Sequence, residues 1–181
     1  MAKVLVPLAD GCEELEAVTI IDLLRRAGVE VTTAGLKHGV VKASRGVQLV
    51  PDTTLDVALE ADYDMVVLPG GMPGASHLKA DVRILELLKK MAAAGKYTAA
   101  ICAAPMVLAE AGVLDGRQAT SYPGSLDSVA GVTLRTEAVV QDGKVLTSRG
   151  PGTAMDFALA LVEVLTGSEK RQQVEAGLVR T

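Results

Sequence analysis

The sequence predicts a doubly wound α/β fold, in which helices cover both faces of a mostly parallel β-sheet. Two observations support this class. Short apolar runs alternate with amphipathic segments along the chain, and the central runs are apolar throughout, as expected for strands buried on both faces. The 181 residues contain no linker, repeat or break in composition, so we expect one domain over residues 1–181. The strand–turn–helix rhythm gives this domain a flavodoxin-like character.

The first third of the chain shows the pattern most clearly. Arg25 and Arg26 stand in the last turn of an amphipathic segment that Gly28 closes, which is typical of a helix end. The predicted elements of this part are strand Lys3–Leu8, helix Cys12–Ala27, strand Val29–Ala34, a short extended element Val47–Val50 and strand Asp64–Leu68.

The remainder continues the alternation after a glycine-rich loop, residues 69–74. The predicted elements are helix Asp81–Ala93, strand Thr98–Ile101, a helix from Ala103 through Ala111, β-runs Val132–Val140 and Lys144–Thr147, and helices Thr153–Leu165 and Ser168–Leu178.

Composition excludes several classes of protein. The net charge of −4 and the aromatic content of 2% argue against a nucleic-acid-binding surface. No apolar run is long enough for a signal peptide or a membrane span. We therefore expect a cytoplasmic protein with no membrane partner, whose two cysteines are thiols rather than a structural disulfide.

In a doubly wound fold, ligands bind beyond the carboxyl ends of the strands, which points to the loops after Leu8, Leu68 and Ile101. Gly70 and Gly71 follow Leu68, where glycines let backbone N–H groups approach an anion; alternatively, they only turn the chain. No dinucleotide or phosphate-loop motif and no paired Cys/His spacing occurs, so we predict neither a nucleotide cofactor nor a metal site.

Cys102 is the sharpest chemical signal. It lies between a predicted strand and a predicted helix, with small residues such as Ala103 beside it, as a nucleophile elbow requires. A thiol at a helix N-terminus has its thiolate stabilised by free N–H groups. A cysteine packed as a small hydrophobe in the core is the competing interpretation, and position alone does not separate the two.

Glu16 is the candidate proton-transfer partner of Cys102. Glu13 and Glu14 are read as ordinary acidic residues of a first helical turn, whereas Glu16 lies deeper, between two apolar residues. Its loop and the Cys102 elbow belong to the same sheet edge. A carboxyl group held near a thiol has a raised pKa and can exchange a proton with it.

The remaining thiol and the two histidines are weaker candidates. Cys12 is either a packing residue or a resolving thiol that faces Cys102. His38 is expected in a solvated turn, and His77 on a surface loop after the glycines, from which it could approach the site.

Several motifs, in order and over nearly the whole chain, resemble the ThiJ/PfpI superfamily and specifically its DJ-one (Parkinson disease deglycase) branch. They are Asp10-Gly-Cys-Glu-Glu-Leu-Glu16, Asp22-Leu-Leu-Arg-Arg-Ala-Gly28, Val66-Val-Leu-Pro-Gly-Gly71, Ala100-Ile-Cys-Ala-Ala-Pro105 and Leu146-Thr-Ser-Arg-Gly-Pro-Gly-Thr153.

The resemblance implies that Cys102 is the reactive cysteine and Glu16 a protonated acid hydrogen-bonded to its sulfur. It also implies an anion pocket built from the N–H groups of Gly71 and Ala103, to which we add Gly70. The activity implied is that of a cysteine-dependent glyoxalase or deglycase, which needs neither glutathione nor a cofactor. Its substrates would be methylglyoxal, glyoxal or their early adducts on protein or nucleic acid.

Three further positions follow from the same resemblance. Arg45 matches a pocket-side arginine, and Arg26 one contributed across the interface of a homodimer. Tyr122 stands where animal members have a histidine, and a phenol is a poor base at neutral pH, so proton transfer depends on Glu16. Ala103 replaces the histidine of peptidase-like members, which argues against proteolysis. The alternative function is an oxidant-sensing chaperone in which Cys102 becomes a sulfinate without turnover.

Overall fold

A seven-stranded sheet with the order β10-β11-β7-β6-β1-β2-β5 forms the centre of the computed structural model, which describes residues 1–181. All neighbouring strands in it are parallel except β10 and β11. The strands are β1 Lys3–Leu8, β2 Glu30–Gly35, β3 Val41–Lys42, β4 Gln48–Leu49, β5 Thr53–Thr54, β6 Met65–Leu68, β7 Tyr97–Ile101, β8 Gln118–Ala119, β9 Thr133–Leu134, β10 Val139–Asp142 and β11 Val145–Ser148.

Helices cover both faces of this sheet, as the sequence predicts. One hydrophobic cluster joins β1 to α1 and α6, and a second joins the opposite face to α2, α3, α4 and α5. The helices are α1 Glu14–Arg26, α2 Leu55–Ala58, α3 Gly74–Ala80, α4 Val82–Ala93, α5 Pro105–Glu110, α6 Ala154–Thr166 and α7 Ser168–Gly177. None of them is long and apolar enough to cross a membrane.

The strands that carry the predicted site lie side by side. β1 pairs with β6, and β6 pairs with β7, in parallel register. All residues of β6 are buried, as are those of β7 apart from Tyr97. Because the carboxyl ends of parallel strands share one edge, the loops after Leu8, Leu68 and Ile101 converge there.

Helix α1 begins where its capping residue dictates. The Glu13 carboxylate accepts a hydrogen bond from the Leu15 amide at 3.4 Å and caps the helix. Glu14 and Glu16 occupy the first turn, where carboxylates favour the helix dipole. The helix therefore starts two residues after the predicted Cys12, and this start places Glu16 on the face that packs against the sheet.

Some predicted elements differ from the structure. The extended element Val47–Val50 contains only β4, which pairs with β3 outside the main sheet. The run Val132–Val140 is broken into β9, which pairs with β8, and β10. The loop assigned to His77 is wrong, because residue 77 lies in α3. Short elements such as α2 and β5 were not predicted, since two to four residues carry too little periodicity to detect.

Candidate active site

Cys102 occupies the turn between β7 and α5 with a backbone φ of +64°, which confirms the predicted elbow. For a residue with a side chain this left-handed conformation costs about 1–3 kcal/mol, and surrounding contacts must hold it. The Cys102 amide donates to Ser148 O at 3.0 Å, and its carbonyl accepts from the Tyr122 amide at 2.7 Å. The elbow is thus fixed from β11 on one side and from the 120–125 loop on the other.

Glu16 reaches the elbow from α1, and its side chain is fully buried. Its Oε2 accepts a hydrogen bond from the Gly70 amide at 2.8 Å, whereas Oε1 has no hydrogen-bond partner. Burial raises the pKa of Glu16 to about 7, while the Gly70 amide and the Cys102 side chain act in the opposite direction. The carboxyl group is therefore able to gain or lose a proton near neutral pH.

Cys102 is only 7% exposed. Burial and the adjacent Glu16 carboxylate raise the pKa of Cys102 to about 12, and the amides of Ala103 and Gly71 oppose that rise. Protonation of Glu16 removes the repulsive charge. Protonated Glu16 therefore favours a thiolate at Cys102, as the amides of Ala103 and Gly71 also do.

Gly70 holds Glu16 instead of lining an anion pocket with Gly71 and Ala103, which corrects the predicted role. Its amide is already used by Glu16 Oε2. A Cβ at residue 70 would lie 2.7 Å from Cys102 Cβ and 2.8 Å from Glu16 Oε2, so only glycine lets these groups approach. The absent side chain at this position is what brings the acid and the thiol together.

A cavity of about 610 Å³ opens over Cys102. Gly71 and Ala103 form its floor beside the cysteine. One part of its lining, here called the polar wall, carries charged and hydroxyl side chains, and the rest is largely apolar. The polar wall consists of Glu13, Ser44 and Arg45; the other residues around the cavity are Met72, Met106, Tyr122, Pro123, Gly124, Ser125 and Pro151.

Glu13 and Glu14 hold the segment containing Arg45 against α1, whereas the sequence predicts for them only a role in the first helical turn. Glu14 Oε1 accepts from the Arg45 amide at 2.9 Å and Glu14 Oε2 from Ser44 Oγ at 3.1 Å. Ser44 Oγ also lies 3.1 Å from Glu13 Oε2. These contacts join residues about thirty positions apart, so no local sequence signal could have revealed the site roles of Glu13, Glu14 and Ser44.

Several predicted residues lie elsewhere. Arg26 pairs with Asp22 at 2.7 Å, away from the cavity of its own chain, and its role across a dimer interface stays a prediction. His77 is exposed and contacts Asp10 O at 2.9 Å through Nδ1, and His38 borders a separate surface pocket. Cys12 is fully buried and unpaired, which favours its interpretation as a packing residue over that of a resolving thiol.

The fold and the site together define a class: a flavodoxin-like α/β protein with a cysteine on a strand-to-helix elbow and a buried carboxyl group beside it. Comparison with known sequences gives the family. Residues 2–164 match the DJ-1/PfpI family, and the chain belongs to it. The resemblance seen in the motifs is therefore confirmed.

Individual relatives match almost from end to end. The chain is 46% identical over 178 residues to the fruit fly (Drosophila melanogaster) protein dj-1beta, covering 97% of this chain and 95% of that one. It is 38% identical over 170 residues to the glutathione-independent glyoxalase DJR-1.2 of Caenorhabditis elegans, covering 93% and 90%. The crystal structure of Drosophila DJ-1beta superposes with a TM-score of 0.96 at 45% identity, covering 99% and 98%.

Proposed function

We propose that the protein is a glutathione-independent glyoxalase and deglycase that converts methylglyoxal, glyoxal or their early adducts to 2-hydroxy acids. The observation that carries this proposal is that the buried carboxyl group of Glu16 lies beside Cys102 at the floor of an open cavity. One oxygen of this carboxyl group, Oε1, has no hydrogen-bond partner. The glyoxalase named among the relatives supports it.

The reaction begins with the Cys102 sulfur, which attacks the aldehyde carbon of methylglyoxal as its own proton passes to Glu16. The amides of Gly71 and Ala103 lie at the sulfur and are placed to steady the developing oxyanion, which then takes a proton to give a hemithioacetal.

Glu16 then moves a proton from C1 to C2 of the bound molecule, through an enediol, and leaves a 2-hydroxyacyl thioester on Cys102. Water cleaves the thioester to lactate and regenerates the thiol, so the net change is methylglyoxal plus water to lactate. From an early adduct on an amine, the first step differs: the C–N bond of the hemiaminal breaks as the Cys102 sulfur bonds to the same carbon, and the amine leaves with the proton that Glu16 has taken from the thiol. The same hemithioacetal results, and the later steps are unchanged. The group at residue 122 is a half-exposed phenol on the cavity wall, so Glu16 carries the proton transfers.

Lactate formation from methylglyoxal without glutathione tests this function. We expect Cys102→Ser to lose turnover, because a serine hydroxyl is a far weaker nucleophile than a thiolate. Cys12→Ser is the matched control and should retain turnover, since Cys12 lies outside the cavity. Lactate formation that survives in Cys102→Ser would remove Cys102 as the nucleophile and with it the proposed mechanism.

A second candidate function rests on the same geometry. Two N–H groups and a carboxyl group that is protonated below about pH 7 surround one sulfur, and this set of donors also suits a sulfinate. In that case Cys102 senses oxidants, and the protein acts in stress protection as a chaperone or partner-binding switch. Peroxide reactivity without any lactate formation would favour this alternative.

The proposed setting is a cytoplasmic homodimer without a cofactor. Two unpaired thiols suit a reducing compartment. The apolar side chains of Leu15 and Val18 on α1 are about half exposed, which suits a helix that is covered by a second copy. Size-exclusion chromatography with light scattering tests the dimer.

A further inference from the structure

The cavity over Cys102 is much larger than the simplest proposed substrate. At ~30 Å³ per molecule in the liquid, its volume of about 610 Å³ corresponds to roughly twenty waters. Methylglyoxal itself would fill a small part of this space. The rest is available to a group attached to the reacting carbons, and the charges on the walls indicate what kind of group it is.

Arg45 is an unusual arginine in this chain. Of the nine arginines, it alone has a guanidinium with neither a hydrogen bond nor an ion pair. The other eight each have a partner: Arg25, Arg26, Arg83, Arg117, Arg135, Arg149, Arg171 and Arg180. The backbone of Arg45 is nevertheless fixed, because its amide donates to Glu14. Arg45 is exposed at the edge of the cavity, with a fixed backbone and a guanidinium that has no partner within its own chain.

Glu13 supplies the opposite charge on the same wall. Its carboxylate forms no ion pair and contacts only the Leu15 amide and the Ser44 hydroxyl. That hydroxyl has one proton, and Glu14 Oε2 lies at the same 3.1 Å from it. Whenever the proton is directed to Glu14, Glu13 Oε2 is left with an unused acceptor. Glu13 contacts Ser44, the residue next to Arg45, but the Glu13 carboxylate and the Arg45 guanidinium form no ion pair with each other.

We propose that this wall binds the free amino-acid end of a 2-oxoaldehyde adduct, with Arg45 on the carboxylate and Glu13 on the α-ammonium. The substrate class is then a 2-oxoaldehyde adduct on the side chain of a free amino acid, such as the hemithioacetal on cysteine. This inference rests on the proposed function for the reaction at Cys102. A nucleotide adduct fits the wall less well, because it brings phosphate towards Glu13 and no cation.

Binding of a stable analogue tests the charges separately from catalysis. The probe is S-(2-hydroxypropyl)-L-cysteine, in which an alcohol replaces the ketone because a ketone at this position would condense with the free amino group into a ring. It is compared with its N-acetyl derivative, which lacks the ammonium, and its methyl ester, which lacks the carboxylate. Kd is measured by titration calorimetry with Cys102→Ser, so that no thiol reacts. We expect each derivative to bind roughly tenfold more weakly than the parent compound, because each one loses one charge-assisted hydrogen bond.

Variants assign each loss to its residue. In the Cys102→Ser background, Glu13→Gln should abolish the preference for the free amine, and Arg45→Met the preference for the free carboxylate. Glu86→Gln and Lys89→Met are matched controls, since these exposed residues of α4 change the net charge equally outside the cavity. Because Glu13 also caps α1, Glu13→Asp provides a second variant that keeps the charge and should keep the amine preference.

Equal binding of all three compounds would overturn the proposal, as would preferences that persist in Glu13→Gln and Arg45→Met. These readings do not depend on turnover. Failure of the wild-type protein to form lactate would instead count against the proposed function and leave the binding result as it stands.

Discussion

The amide of Gly70 donates to Glu16 Oε2 at 2.8 Å within a fully buried pocket, and this single contact orients the acid towards Cys102. The two residues are 54 positions apart in the chain. Gly70 stands two residues beyond buried β6, and Glu16 lies in the first turn of α1. The contact therefore depends on the pairing of β1 with β6, which sets where α1 and the loop after β6 meet.

Gly70→Ala should disrupt this arrangement. The added methyl would lie 2.7 Å from both Ile101 O and Cys102 Cβ, so the elbow or the acid must shift. We expect a loss of about 1–3 kcal/mol in the free energy of unfolding and a loss of lactate formation. Gly177→Ala is the matched control, because nothing lies within 4 Å of its added Cβ and its helix should gain about 0.5–1 kcal/mol. Denaturant unfolding and lactate formation are measured for both variants. Equal stability and equal turnover in Gly70→Ala and Gly177→Ala would contradict the prediction.

Stability should fall as pH rises between about 4.5 and 7. The folded protein keeps a proton on Glu16 up to about pH 7, whereas the unfolded chain releases it near 4.5. Over this window the native state binds more protons than the unfolded state, so deprotonation removes stability, on the order of 3 kcal/mol in all. Unfolding of the wild type and of Glu16→Gln at pH 5 and pH 8 checks this, since other groups cancel in the difference. A difference between them that does not change with pH would contradict a raised pKa for Glu16.

Replacing Glu16 should change thiol reactivity and turnover in opposite directions. Glu16→Gln removes the carboxylate charge that raises the pKa of Cys102 and leaves an amide that can still donate. The pKa of Cys102 should fall by about one unit or more, seen as faster alkylation by iodoacetamide in a Cys12→Ser background. Lactate formation should nevertheless fall by about a hundredfold, because the amide cannot accept a proton. Full turnover in Glu16→Gln would limit Glu16 to an electrostatic role.

The sequence predicts those features of the site that depend on strand order. Buried apolar runs and small residues around Cys102 suffice to place the elbow at the end of β7, and parallel strands bring Glu16 to the same edge. The hold of Gly70 on Glu16 could not be predicted, because it depends on how α1 packs across the strand ends. The same applies to Glu14 and Ser44, whose contact depends on how the segment between β3 and β4 lies against α1.

The burial of individual side chains also could not be predicted from the sequence. The sequence leaves open whether Cys102 is buried, because the cover over the sulfur comes from glycine loops and from α1, which are distant in the chain. For the same reason, the sequence does not predict α3: Gly74 and Ser76 are weak helix formers, and the burial of Ala75 and Leu78 outweighs that preference.

Mild peroxide should oxidise Cys102 before Cys12. Both thiols are buried, but Cys102 borders the open cavity and has two N–H groups that stabilise negative charge at sulfur. Cys12 is fully buried and lies outside the cavity, so access distinguishes the two thiols, whereas burial raises the pKa of both to about 12. Peptide mass mapping should therefore find two added oxygens on the peptide containing Cys102 first, and Cys102→Ser should leave Cys12 unmodified over the same time. Earlier modification of Cys12, or a Cys12–Cys102 disulfide as the main product, would show instead that the two thiols act as a redox pair.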